Sequence, residues 1–458
     1  GPAQSPAPSG APPASDPLAR PGQRVYRVGQ AVDVAGQHLA YRLVLRQGHH
    51  SALRPADNGT GHMERRRGGV HARNDEVSLF PGGLGALVHH ALQKGHVLLR
   101  DLSRQPGRTL LVAGQFRPQG EQPALDAGTN IDLFDEDIDR VNTTWGAYLM
   151  DLEELAKAAD YDATANASLM EACREVGGGT LKSIPYQPNV FAFFYNKAIF
   201  EEAGVTSVPA TWAELDAACR KIKDAGYTPI TCDDAYILCL FGYHMSRLNG
   251  YDKTSDIVKN NKWDDPSVME TAKAYADFAQ KGYFSENIAS NVFPAGQNQE
   301  LALGTAAMYL NGSWLPNEVK NMAGDDFQWG CFSYPAVEGG TDGTEAANYG
   351  GQVLAINKNS QHAEDAFKLI TYITKGEFDK KLSEESLGIP SDTTNSEWPV
   401  QLTDVKPVME SLKTRYPWAA GAEDNVDMTP IIKENMTKLC SGAITADEFV
   451  SNLQAAGK

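Results

Sequence analysis

From about residue 125 onward, short apolar runs alternate with helical segments of about 10–15 residues, which restricts the chain to sheets covered by helices. The helix boundaries carry their own signals. Thr211-Trp212-Ala213-Glu214 is a capping box, in which Thr and Glu satisfy orphan backbone donors reciprocally. Trp212, Leu215, Cys219 and Ile222 follow at helical spacing, and Gly226 ends the helix. Asp265-Pro266 opens another, with the stripe Met269, Ala272, Tyr275, Ala276 and Ala279 and a stop at Gly282. Ser360 is placed as the cap of a third, whose stripe Ala363, Ala366, Phe367, Ile370 and Ile373 runs to Gly376. Residues 184–195 read as an apolar strand pair bent at proline. Further strands are expected at 228–231, 306–310, 327–334 and 348–356, and helical text from about Asp404 closes the chain. This order predicts parallel α/β sheets.

Residues 293–318 hold the sharpest local signal. Gly304 breaks a short apolar turn, and Ala306-Ala307-Met308-Tyr309-Leu310 reads as a buried strand. The turn Asn311-Gly312-Ser313 then delivers Trp314 just past the strand end. An aromatic there is either core packing or a flat platform for a ligand.

The composition breaks near residue 123. Before it lie fourteen Arg, one Lys and eight acids; after it, five Arg, twenty-one Lys and fifty acids. Eight of the ten His precede the break, and all seven Trp and six Cys follow it. Residues 1–23 are a flexible Pro/Ala-rich linker by composition. Residues 24–119 are anomalous. Strands are conceivable at 25–28, 39–45 and 109–112 and a helix at 86–92, among the basic run Glu64-Arg65-Arg66-Arg67 and the pairs His49-His50 and His89-His90. Two readings stand: a basic, His-rich module fused to the rest, or non-native text such as a shifted reading frame produces. The net charge of −17 argues against nucleic acid or an anionic membrane as partner. No run of 18 apolar residues is present. The chain opens Gly1-Pro2 without a basic region and apolar core, so a leader or anchor is expected to be missing.

Catalytic and metal signatures fail on inspection. No GxSxG, P-loop, GxGxxG after a strand or HExxH occurs. Cys173, Cys219, Cys232, Cys239, Cys331 and Cys440 form no CxxC pair, so they are expected as buried thiols, with one disulfide left open, and no metal or cofactor is expected. The acids from Asp135 to Asp139 start like a calcium loop, but Arg140 stands where Gly is needed and Gly146 where Glu is needed. They remain candidates for a glycan-cleaving pair. What is left is a set of loop aromatics and amides after strands: Trp145, Tyr186, Asn189, Tyr236, Trp314 and Tyr349. Aromatic faces stack on the C–H faces of sugars, while carboxylates and amides take the hydroxyl rim.

Phe194-Tyr195-Asn196-Lys197 with Phe200 and Gly204, then Thr211-Trp212-x-Glu214-Leu215, resembles the family 1 extracellular solute-binding proteins of ABC importers, the maltose-binding-protein type. The Gly304-x-Ala306-Ala307-Met308…Gly312-Ser313-Trp314 run and Gly350-Gly351…Ala355-Ile356 are similar to the same family, in its order, over about residues 122–458. The resemblance implies an α/β, two-lobed periplasmic-binding-protein-like (type II) fold with a ligand cleft. It implies no enzyme but a monomeric receptor, with a small carbohydrate or oligosaccharide and ABC permease subunits as partners, extracellular or periplasmic and tethered. Carried over position by position, its ligand contacts fall on Asp139, Arg140, Asn189, Asp234, Tyr236, Trp314 and Tyr349, with Gly350 and Gly351 letting backbone approach the ligand. Asn189 in place of Glu alters the expected hydroxyl preference. The expected boundaries are 120–188 with 349–403 for lobe 1 and 189–348 with 404–458 for lobe 2. The family's opening strand, helix and strand and its lipid-anchor Cys are not found in residues 24–119.

Overall fold

In a computed structural model of the protein, the structure describes residues 27–32, 39–44, 76–79, 112–114 and 131–458. Backbone contacts divide the chain into two units after Leu111. In the first, Arg27–Val32 (β1), Leu39–Val44 (β2) and Glu76–Leu79 (β3) pair antiparallel in sequence order. β1 and β2 overlap two expected strands, and β3 was not anticipated. The linker, the two His pairs, the basic run and the helix expected at 86–92 lie outside the described residues.

The second unit contains Val112–Gly114 (β4), Leu133–Asp137 (β5), Ile184–Asn196 (β6), Thr228–Thr231 (β7), Ala306–Gly312 (β8), Trp329–Phe332 (β9), Ala346–Ile356 (β10) and Thr414–Tyr416 (β11). One sheet runs β4, β5, β10 and the first half of β6. In the other, the second half of β6 lies between β8 and β9, and β7 extends β8. β6 therefore belongs to both sheets. β10 also changes partners, pairing with β11 through Ala346–Asn348 before it joins β5 and β6.

Two expectations are corrected here. Residues 184–195 are not a strand pair but part of one thirteen-residue strand. Pro188 is tolerated because the register against β10 shifts between Gly350 and Gln352, leaving Gln187 and Pro188 in a bulge where no ladder donor is needed, while Pro185 stays in register opposite Val353. Gln187 takes a positive φ of 45° there. The sheets are also mixed rather than parallel. Only β4–β5, β7–β8 and β10–β11 are parallel, and β6 runs antiparallel to β8, β9 and β10.

Helices cover the second sheet as the stripes require. Trp212–Asp224 begins with the Thr211–Glu214 capping box, and Pro266–Gln280 is capped by Asp265. Ile237–Asn249 is buried at every position from Ile237 to Arg247. It packs on Thr429–Cys440 and Pro266–Gln280, and Ala446–Ala456 completes the layer. The third expected cap moves: His362 precedes Ala363–Thr374, and Ser360 instead accepts from the His362 N–H and donates to Asp132. Gly376 is the first residue of a further helix, Gly376–Ser386. The closing helical text is interrupted by β11 and by a turn in which Ala419 and Ala420 take positive φ. All six Cys are free and buried, so the disulfide left open by the sequence is absent. Two loop aromatics are core residues. Trp145 stacks on Phe134 at 4.8 Å, and fully buried Tyr186 donates to Asp135 at 2.7 Å.

Candidate functional site

The first residue of β6 in the second sheet, Phe191, anchors a cluster of rings. It is only 1% exposed. Tyr236 meets it edge-on at 5.3 Å, Trp418 edge-on at 5.6 Å and Trp314 tilted at 6.0 Å. Tyr236 also lies 6.3 Å from Trp314, 6.1 Å from Trp418 and 5.2 Å from Phe293. Tyr236, Trp314 and Trp418 are half-buried, so each ring keeps part of its surface open while Phe191 supports it from inside. The five rings come from five separate segments.

Each ring is positioned by a specific local device. Tyr236 follows β7 on a turn tied by Asp233, whose Oδ1 accepts from the N–H groups of Ala235 (2.7 Å) and Tyr236 (2.9 Å). Its Oδ2 accepts from the Tyr309 hydroxyl on β8. Trp314 follows β8, and its indole occupies the space over Gly312. A Cβ at Gly312 would stand 2.2 Å from the Trp314 ring, so glycine is what admits the indole. Trp418 is held through its backbone: Asp139 Oδ2 accepts from the Trp418 N–H at 3.0 Å.

The other expected residues sit around this cluster. Asp139 follows β5 and pairs with Arg415 at 2.6 Å, both side chains 16% exposed. Arg415 Nε donates to the Tyr349 carbonyl at 2.8 Å. Asp139 therefore meets Arg415 rather than its sequence neighbour Arg140, which is exposed ahead of Val141–Trp145. Asn189 is half-buried on β6 opposite Gly350. Asp234 is exposed and accepts from the Phe293 N–H at 2.9 Å, tying that loop to Tyr236. Tyr349 is buried opposite Val190. The space a side chain would take at Gly350 is bounded by Ile138 at 3.2 Å, and at Gly351 by the Tyr186 carbonyl at 2.9 Å. Protein neighbours thus crowd both positions. The sequence did not single out Phe191, Phe293, Arg415, Trp418 or Glu318. Arg415-Tyr416-Pro417-Trp418 was the available signal, a cation and two aromatics at a proline stop.

The electrostatics are acidic. Burial pushes Asp233 up, against the hydrogen bonds it accepts. Burial pushes Glu318 up to about 7, with Asn298 pulling the other way and the Asp233 charge adding to the rise. Burial also raises the Tyr236 hydroxyl, and the Glu318 charge adds to it. On β5, burial lifts Glu136 to about 7 and Asp137 to about 6, the latter helped by Asp139. Among the described residues, no three His, Cys, Asp or Glu side chains converge as metal ligands.

Residues 119–377 match the sequence pattern of the family described as bacterial extracellular solute-binding protein. A putative binding protein of Brucella abortus (strain 2308) is 26% identical over 281 residues, which is 58% of this chain and 64% of the relative. The multiple sugar-binding protein of Streptococcus mutans is 28% identical over 200 residues, 42% of this chain and 47% of that protein. The chain thus spans less than two thirds of the length of these relatives. Among solved structures, a chitin oligosaccharide binding protein superposes with a TM-score of 0.65 at 21% identity, covering 82% of this chain and 94% of that one.

Proposed function

We propose that this chain, which belongs to the bacterial extracellular solute-binding protein family, captures a carbohydrate on the Tyr236–Trp314–Trp418 cluster and presents it to an ABC importer. Its fold is the two-lobed type II arrangement of periplasmic sugar-binding proteins. The observation that carries the proposal is three half-buried rings with polar edges gathered on Phe191. Such rings stack on sugar C–H faces and leave their N–H and O–H groups for hydroxyls. Asn189 and Asp234 supply rim hydrogen bonds, while Asp139 acts by fixing Arg415 and Trp418. Arg140, Tyr349, Gly350 and Gly351 frame the lobe-1 side. The ligand is an oligosaccharide and the receptor a monomer, tethered outside the cell. It is not an enzyme: Asp135 is engaged by Tyr186 and Asp139 by Arg415, which supports binding over glycan cleavage by the β5 acids.

The lobes are read as 120–188 with 349–403 and 189–348 with 404–458, crossed by β6 and β10. Binding closes them by a hinge at these crossings and creates the surface a permease reads. The test is isothermal titration against a panel of neutral oligosaccharides, with Trp314→Ala beside the wild type. One panel member binds, and the variant loses about tenfold, the worth of one aromatic contact. Absence of binding across the panel, or an unchanged affinity in Trp314→Ala, refutes the proposal.

A further inference from the structure

A group of buried polar atoms beside Tyr236 has no hydrogen-bond partner within the protein. Glu318 Oε2, Asn298 Oδ1 and Asn311 Nδ2 are all in this condition. Asn298 and Asn311 are 1% and 0% exposed. Buried polar groups are almost always paired, and each one left unpaired is costly. The three come from different elements. Asn298 lies on Gly296–Ala302, which packs against Leu315–Ala323, the helix bearing Glu318. Asn311 is two residues beyond Tyr309 on β8, so it shares the face from which Tyr309 reaches Asp233. Glu318 feels both Asn298 and the Asp233 charge, and its own charge is felt at Tyr236. The unpaired atoms thus adjoin the ring cluster.

We infer that Glu318, Asn298 and Asn311 form a polar subsite that receives an uncharged hydrogen-bonding substituent of the bound saccharide, a hydroxyl or an acetamido group. The inference rests on the carbohydrate reading above and names what that site selects. Asn298 Oδ1 accepts, Asn311 Nδ2 donates and the Glu318 carboxyl donates when it carries its proton, which matches a group that both gives and takes hydrogen bonds. An anionic substituent meets the Glu318 and Asp233 carboxyls, and no cation is among the groups acting on Glu318. Arg415 is already paired with Asp139.

The subsite is also sensitive to pH. As a neutral acid Glu318 donates a hydrogen bond that its carboxylate lacks, and burial places its titration at about 7. The groups that feel its charge are Asp233 and Tyr236. Asp234 is turned to the Phe293 loop, and Glu300 is engaged by Thr231, Ser285 and Asn287.

The experiment is isothermal titration of the full chain with N,N′-diacetylchitobiose, raffinose and maltotriose, and with a digalacturonate as anionic probe, at pH 5.5 and pH 8.5. Wild type, Glu318→Gln, Asn298→Ala and Trp314→Ala are compared. A neutral probe should bind about tenfold more weakly at pH 8.5 than at pH 5.5 to the wild type, as expected when the donor form of a group titrating near 7 is lost. Glu318→Gln, near-isosteric and uncharged, should bind equally at both pH values, and the digalacturonate should not bind. Asn298→Ala should lose about tenfold at pH 5.5, with an unchanged melting temperature showing that it folds. If a neutral probe binds and depends on Trp314, yet wild type and Glu318→Gln agree at both pH values, the subsite is refuted and the carbohydrate reading survives. If no neutral probe binds at either pH, both fall together.

Discussion

Replacing Arg415 by Met removes one of two ties between the segment carrying Trp418 and the turn after β5, leaving the Trp418 N–H bond to Asp139. The guanidinium makes a 2.6 Å contact to Asp139 and a 2.8 Å hydrogen bond to the Tyr349 carbonyl. Hydrogen bonds to charged groups are worth about 1.5–3 kcal/mol each. Asp139 and Arg415 are both 16% exposed, so water recovers part of the loss, and a net destabilisation of about 2–4 kcal/mol follows, below the cost of breaking a fully buried pair. Asp137 responds too, because Arg415 opposes its upward shift and the variant should titrate Asp137 above about 6. Urea unfolding monitored by tryptophan fluorescence measures the change, with the midpoint falling at constant slope. A double-mutant cycle with Asp139→Asn should return a coupling of about 1–3 kcal/mol. A variant within about 0.5 kcal/mol of wild type, the range of an ordinary surface substitution, refutes the pair as a tie.

Gly312→Val places side-chain atoms where the Trp314 indole lies, so saccharide affinity should fall by about tenfold, as for loss of the ring itself, in the same titration. Folded Glu136 titrates at about 7 against an ordinary 4.5, so the native state holds its proton longer than the unfolded chain. Its contribution is greatest below about pH 4.5 and is lost as pH rises through about 7, on the order of 2–3 kcal/mol. Glu136→Gln should flatten that part of the stability profile in urea titrations from pH 5 to pH 8. Burial pushes the Cys173 thiol up to about 12 and raises the other five, so an aromatic disulfide reagent at pH 8 should label none of them until denaturant is added. Tyr243 donates to the Phe191 carbonyl at 2.6 Å and accepts from the Asn348 N–H at 2.7 Å. Tyr243→Phe strands both backbone groups and should cost about 2–4 kcal/mol in the urea midpoint, at about 1–3 kcal/mol for each group left unpaired.

What the sequence revealed was what local chemistry dictates. The Thr211–Glu214 box and the Asp265-Pro266 start specify helix beginnings within one turn, and both stand in the structure. The run 306–310 is apolar throughout and is buried throughout as β8. Long-range facts were not legible in the same way. The alternation of strands and helices suggested parallel sheets, because nothing in residues 184–196 says that one strand serves two sheets and enters the second from the opposite direction. Trp145 and Tyr186 look like loop aromatics in sequence, and only the fold puts Phe134 and Asp135 beside them. Trp314 was singled out because its own turn announces it. Trp418 was missed because its place depends on Asp139, which is 279 residues away in sequence.

The position of the ring cluster joins binding to mechanics. Phe191 is the first residue of β6 to pair in the second sheet, and its carbonyl accepts from the Tyr243 hydroxyl, which in turn accepts from the N–H of Asn348, the last residue of β10 paired with β11. Both crossing strands thus change partners at the point where the rings gather. Trp418 adds a second link, since Asp139 and Arg415 hold its segment against the turn after β5. A ligand laid across Tyr236, Trp314 and Trp418 bears on segments anchored to both sheets. Its differential contact with open and closed forms is the quantity that can shift a hinge. A saccharide on the outer face of either sheet would have no such leverage, however tightly it bound. Under the proposed function, the stacking that supplies affinity is therefore placed where it can also set the angle between the lobes.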